Sequence, residues 1–201
     1  MNKEYTETEL LIVNAARKVF LNKGMDGARM QEIADEAGIN KALLHYYFRN
    51  KQKLFDAVFQ EALEKFFPAI VEVLINETPF IDKIDILVDM YFDRFKENPH
   101  IVSFIIHEIN QNPERIENVM KESGMRLDVI KQKIQEMIEV GKISFFSFDH
   151  FMVNMLGLII WPFAGRPLIQ RMLFENDPEK FDDFLEERKT VVKRVLKKSL
   201  E

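Results

Sequence analysis

Apolar residues recur every three to four positions along almost the whole chain, the spacing of helices that bury one face. Thr6-Glu7-Thr8-Glu9 fits a capping box, with Thr6 and Glu9 as partners, and predicts a helix to about Asn22 that turns Ile12, Ala16, Val19 and Phe20 inward. Gly24 and Gly27 then mark a loop. Met30–Ala37 predicts a short helix with Ile33, Ala34 and Ala37 inward, closed by Gly38 where a left-handed backbone commonly ends a helix. Asn40 is placed to cap a third helix, Lys41–Phe48, and Asn50 to cap a fourth from Lys51 to about Ile75. Pro68 falls inside that fourth pattern and removes a helical hydrogen bond, so a kink or break is expected there, one that would couple the two ends of the helix.

Further along, the helices lengthen and become more apolar. Phe80–Lys96 sets Phe80, Ile84, Leu87, Tyr91 and Phe95 on one face, and His100–Asn110 is apolar almost all round. Pro113 opens a short helix to Glu122 that Gly124 ends, and Met125–Val140 is amphipathic. Asp149–Phe163 is strongly apolar, with Pro162 and Pro167 bracketing its end. Asp177-Pro178 starts a last helix to about Leu200, acidic early and basic late in the sense that complements the helix dipole. Ile143–Phe148 is Phe-rich but short and reads as loop or helix start. The expected class is all-α. Its expected organisation is a small head over residues 1–55 and a larger body over 56–201.

Composition narrows the chemistry. The 201 residues contain no cysteine, which excludes disulfides, thiolate metal sites, iron–sulfur clusters and cysteine nucleophiles. No HExxH, GxSxG, P-loop or GxGxxG pattern is present, and the 4 histidines have no metal-type spacing with one another. An enzyme, a cofactor and a metal site are therefore not expected. The most apolar run, Phe151–Gly165, is 15 residues long, holds Asn154 and Pro162, and is too short to span a bilayer. With no apolar leader at the N-terminus either, a cytoplasmic protein with no membrane partner is expected.

The net charge of −5 argues against nucleic acid until it is read by segment. Residues 1–55 carry 9 basic and 7 acidic side chains, whereas the remainder is net −7. From Ala37 to Phe55 there is no acid, while Lys41, Arg49, Lys51 and Lys53 are present. The two short helices around Gly38-Ile39-Asn40 make a helix-turn-helix. Ala34 permits close approach, and Ile39, Leu44 and Phe48 lock the pair. That leaves Lys41, Ala42, Leu43, His45 and Tyr46 facing solvent. A helix of this kind fits the DNA major groove.

These residues resemble the DNA-binding head of the TetR/AcrR family of transcriptional regulators. The resemblance covers roughly residues 8–58 and rests on the helix-turn-helix, on Tyr46-Tyr47-Phe48-Arg49-Asn50-Lys51 and on Leu54-Phe55. It implies that Lys41, Leu43 and His45 meet bases or adjacent phosphates, with Ala42 on the same face. By the same resemblance Tyr46 and Tyr47 reach phosphates, Lys51 grips the backbone, and Gln31 reaches a base or phosphate. Tyr47 has a second reading, packing against the first helix. Where the family usually caps the second helix with Thr or Ser, this chain has Ala28-Arg29, so Arg29 becomes a phosphate candidate. Where the family usually shows Thr, Leu43 offers an apolar tip suited to a thymine methyl.

The resemblance further implies a homodimer on a palindromic double-stranded operator, repression, and release by a small-molecule effector bound in the body. Polar groups on apolar faces nominate Tyr91, Arg94, Phe95, Phe104, His107, Glu108, Asn154 and Trp161 as pocket residues. Glu108, if buried, needs a partner, either a cationic or hydrogen-bonding ligand or Arg94. The two long C-terminal helices nominate Met152, Met155, Gly157, Ile159, Phe181, Phe184, Leu185, Val191, Val192 and Val195 as the dimer seam. The competing reading is a DNA-binding protein of the same fold with no inducer, acting as an architectural or partner-recruiting factor.

Overall fold

The computed structural model describes residues 5–98, 101–141 and 147–200, with the side chains of Glu64, Lys65 and Phe104 outside that description. Within those residues the chain is built from helices and contains no strand. The expectations on Phe104 and on residues 143–146 fall outside what is described. Phe148 opens a helix whose cap is Ser147.

The chain divides into two compact units, Met1–Phe66 and Phe67–Glu201, so the first extends beyond the expected boundary at residue 55. It holds α1 (Glu7–Gly27), α2 (Met30–Glu36), α3 (Lys41–Tyr47) and the first part of α4 (Lys51–Ile75). The physical reason is that α4 continues to bury Leu54, Phe55, Val58, Phe59, Leu63 and Phe66. The Arg17 guanidinium also reaches Glu61 Oε2 at 2.6 Å, tying α1 to α4.

The capping box of α1 forms: the Glu9 N–H donates to Thr6 Oγ1 (3.3 Å), and the Thr6 N–H donates to Glu9 Oε2 (2.9 Å). Such a cap contributes about 1 kcal/mol. The expected loop after Asn22 is instead a break at Gly24 (φ 67°, ψ 178°), after which one more helical turn reaches Gly27. Ile12, Ala16 and Phe20 are fully buried, while Val19 is only half-buried. Phe20 meets Phe55 edge-on at 4.9 Å between ring centroids. α4 runs as a helix across Pro68 to Ile75 and is not broken there.

The second unit holds the rest of α4 and α5 (Phe80–Glu97), α6 (Ile101–Gln111), α7 (Pro113–Glu122), α8 (Leu127–Glu139), α9 (Phe148–Ala164), α10 (Arg166–Leu173) and α11 (Pro178–Lys198). α10 was not expected: Pro167 sits in the first turn of a new helix, where its missing N–H is harmless, rather than only ending the one before. α9 lies against α5, α6, α8, α10 and α11 and forms the middle of the unit. Its buried face carries Phe151, Met155, Ile159 and Phe163, and the Phe163 ring meets Phe92 and Phe95 at 5.3 and 5.2 Å.

α5 and α11 run antiparallel and are joined by a charge ladder. Lys189 reaches Asp93 at 2.6 Å and Asp89 at 3.6 Å, Lys193 reaches Asp89 at 2.7 Å, and Lys197 bonds Asp85. Lys96 and Glu186 extend it with the signs reversed. The Lys96 hydrogen bond holds the Glu186 carboxyl below its usual value, against a smaller effect of burial. Burial pulls Lys189 down, but the Asp93 hydrogen bond and the charges of Asp93, Asp89 and Glu186 together leave it above the usual lysine value.

The lowered carboxyl contributes stability above the ordinary carboxylate range that is lost as pH falls through its folded value. The raised ammonium contributes stability below the ordinary lysine range that is lost as pH rises through its folded value. The melting temperature should therefore hold a plateau between the two limits. Lys189→Met should flatten the alkaline limb of Tm against pH while leaving the acid limb in place; an unchanged alkaline limb would assign that limb to other groups.

Candidate nucleic-acid interface

The helix-turn-helix is shaped by its turn. The Ile39 N–H donates to the Ala34 carbonyl (3.0 Å) and the Gly38 N–H to the Asp35 carbonyl (3.1 Å), the paired bonds of a Schellman ending. Gly38 has φ +66°, a left-handed conformation that a side chain strains. Asn40 then caps α3, accepting from the Leu43 N–H at 2.8 Å. Leu44 and Phe48 are buried and Ile39 half-buried, so the inward face of α3 is spent on the head's core.

The opposite face is open. Lys41, Ala42, Leu43, His45 and Tyr46 are all exposed, Tyr46 at 79%. Tyr47 is half-buried with its ring 5.2 Å from that of Tyr46, so it is neither sealed in the core nor fully presented. His45 Nδ1 lies 3.3 Å from the Arg49 carbonyl, which orients the imidazole along the end of α3.

α2 supplies the flank. Arg29 caps it with an exposed side chain, and its N–H donates to Glu32 Oε2 at 3.3 Å. Glu32 also accepts from Lys23 at 3.0 Å, and this bond, with smaller help from Arg29, holds its carboxyl below the usual value. Gln31 is exposed, and its amide donates to Asp35 Oδ1 at 2.8 Å.

Lys51 is half-buried and directs its ammonium to the Ala28 carbonyl at 3.0 Å and the Asp26 carbonyl at 3.4 Å. It closes the segment between α1 and α2 onto the start of α4, a structural task that the motif alone did not reveal. Arg49 and Lys53 are exposed on either side of it and were missing from the candidate set. The acid-free run from Ala37 to Phe55 was the signal that marks them. Asn50 caps α4 by accepting from the Lys53 N–H at 2.9 Å. Over residues 37–55 the result is an outward surface of cations, tyrosines and an imidazole with no carboxylate in its sequence, able to meet phosphates by charge and base edges by contact.

In the second unit the pocket candidates fall in different surroundings. Tyr91 and Phe95 are buried core, 5.7 Å apart, and burial pushes the Tyr91 phenol up. Arg94 is half-buried and lies 3.6 Å from Glu97. Glu108 is only 2% exposed, and its partner is Arg115 at 3.2 Å rather than Arg94. His107, Asn154 and Trp161 lie on the outside, Trp161 at 59% exposure.

The seam candidates of α9 and α11 divide between two faces. Met155, Ile159, Phe181, Leu185 and Val192 are buried within the unit. The most apolar stripe of each helix goes to the chain's own core, and only a second face stays outside. Of the expected seam, Gly157, Val191 and Val195 are exposed, and Met152 and Phe184 are half-buried. On the same two helices Val153 is exposed and Arg188 half-buried.

Comparison with known proteins agrees with the head's geometry. Residues 12–58 match the family model described as bacterial regulatory proteins, tetR family. The chain is 27% identical over 152 residues to the HTH-type transcriptional repressor NicS of Pseudomonas putida, covering 74% of this chain and 70% of NicS. It is 34% identical over 85 residues to the HTH-type transcriptional activator FasR of Mycolicibacterium smegmatis, covering 42% of this chain and 38% of FasR. The crystal structure of HlyIIR, a hemolysin II transcriptional regulator, aligns with a TM-score of 0.57 at 25% identity, over 92% of this chain and 96% of that one. With its helix-turn-helix matching the tetR-family model over residues 12–58 and its all-helical fold aligning with that of HlyIIR, the chain is similar to transcriptional regulators of the TetR family.

Proposed function

We propose that the protein is a cytoplasmic repressor that grips a palindromic operator as a homodimer through α3 and lets go when its body binds a small molecule. The observation that carries this reading is the exposed, acid-free face of α3 and the start of α4. Pairing of two copies is supported by the outer faces of α9 and α11, with Val153, Trp161, Val191 and Val195 exposed. Gly157 meets no atom within 4 Å of where a side chain would begin, which leaves room for a partner helix. Arg188, beside Phe184 on that stripe, has a buried Nε with no hydrogen-bond partner among the described residues. An acceptor from a second copy would satisfy it. Two heads then read half-sites about one DNA turn apart, roughly 34–36 Å. Release follows by population shift, the ligand favouring a conformer whose heads no longer match that spacing. Among the described residues no helix is long and apolar enough to cross a membrane.

The test is fluorescence anisotropy on duplexes selected from random sequence, with a promoter reporter to give the sign of control. Two chains per duplex and a steep loss of affinity with salt are expected. One chain per duplex or salt-independent binding would refute the reading, and reporter activation would refute repression. In the same assay Lys51→Ala should weaken binding about equally across sequences, lower the salt slope by about one, and lower the head's melting temperature through the lost carbonyl contacts. A changed sequence preference would show that Lys51 reads bases instead.

A further inference from the structure

A cleft of about 670 Å³ lies between α6, α7 and α8, and among its described lining residues is none that the sequence nominated for a pocket. Its volume is in the range of small-molecule sites, roughly 300–1,000 Å³. Ile109, Pro113, Ile116, Met120, Met125 and Leu127 supply apolar walls. The geometry is built in by the chain. α7 ends in a second Schellman turn, with Met125 N–H donating to the Met120 carbonyl (3.1 Å) and Gly124 N–H to the Lys121 carbonyl (3.0 Å). Gly124 takes φ +86° to allow it. That turn folds Met125 back toward Met120, the hydrophobic contact that accompanies this ending. Unbranched methionines adapt their shape to an occupant. Glu108 and Arg115, each next in sequence to a wall residue, clamp α7 to α6 with a 3.2 Å ion pair.

Among the described residues the charges around the cleft are Glu117, Lys121, Arg126 and Asp128, and each has a partner of opposite sign. Lys121 pairs with Glu117 one turn away. Arg126 holds Asp128 with two hydrogen bonds, 3.1 and 2.8 Å. A ligand with an ionised group competes with these pairs for its counter-charge, whereas an uncharged one leaves both intact. We propose that this cleft binds an uncharged, apolar small molecule, with a single aliphatic chain or fused rings, and that this is the effector. The regulatory half of the inference rests on the ligand-responsive reading above; the binding half does not.

The experiment uses the full chain and Nile red, an uncharged dye that brightens and shifts to the blue in apolar surroundings. Saturable binding of about one dye per chain is expected, displaced by 1-decanol and at least about tenfold less well by decanoate. Ile116→Trp fills the cleft and should weaken the dye at least about tenfold. Leu127→Glu, at the exposed rim, should do the same without touching the core, so a folding defect in the first variant cannot imitate the result.

Decanoate competing as well as decanol would overturn the uncharged class. Full dye affinity in both variants would overturn the location. Dye binding that vanishes as the chain self-associates, followed by sedimentation, would show the cleft to be covered by a second copy and would also overturn the proposal. Dye binding without operator binding by the wild-type chain would sink the regulator reading and leave the site. Dye-bound protein that holds its operator unchanged would remove the effector role alone.

Discussion

Phe20→Ala is expected to destabilise the head by about 3–5 kcal/mol, the usual range for emptying a buried phenylalanine site. Phe20 is 0% exposed, and its ring is the edge that meets Phe55, which in turn lies 4.2 Å from Phe59. Removing it takes away an aromatic contact that joins α1 to α4. A unit ending at Phe66 has little stability to spare, since small domains bury a smaller share of their surface. Operator binding should be lost at 37 °C. Hydrogen exchange should show residues 7–66 losing protection while α5–α11 retain theirs. Equal loss across both units would mean that they unfold as one.

Lys83→Met should remove about 2–4 kcal/mol, on the basis of two charge-assisted bonds at roughly 1.5–3 kcal/mol each, offset by the relief of burying a cation. Lys83 is only 8% exposed, and its ammonium donates at 2.7 Å to both the Leu74 and the Asn76 carbonyls. Those carbonyls are at the C-terminal end of α4, where peptide oxygens lack helical partners and a cation is favoured. The methionine keeps the apolar stem and leaves the oxygens stranded. Burial, assisted by the nearby Lys133 charge, pulls the ammonium below the ordinary lysine value. The unfolded chain therefore holds this proton more tightly. Between the lowered folded value and the usual lysine value, wild type should gain stability over Lys83→Met as pH rises. Chemical denaturation at neutral and alkaline pH measures both effects; a constant difference between the two proteins would remove the proton linkage.

Much of this architecture was legible because local rules acted alone. Thr6, Asn40, Asn50 and Asp177 cap the helices that their positions announce, and Gly38 and Gly124 end the two they follow. The outward face of α3 was readable for the same reason: its inward residues are few, and the remainder must point out. The second unit was harder. Periodicity identifies an apolar stripe but not what covers it: it points Ile159 and Val192 toward a partner, and both are buried within the chain itself. The cleft was invisible because its walls come from three helices and its charges cancel in pairs, leaving no local signature. Lys51 was read for its charge, while its reach to carbonyls 23 and 25 positions earlier is a tertiary fact.

The repeat of Asp85, Asp89 and Asp93 opposite Lys197, Lys193 and Lys189 has one more implication. Both rows have the same four-residue period, so sliding one helix past the other by a single turn, about 6 Å at 1.5 Å per residue, would re-form two of the three pairs. Lys189 already spans the step, touching Asp93 and Asp89 together. Attraction of this kind holds two rods side by side yet is nearly indifferent to where along their length they meet. The teeth that choose one notch are the uncharged ones, Phe181, Leu185, Val192 and Leu196. Trimming any of them would loosen alignment before it loosened adhesion.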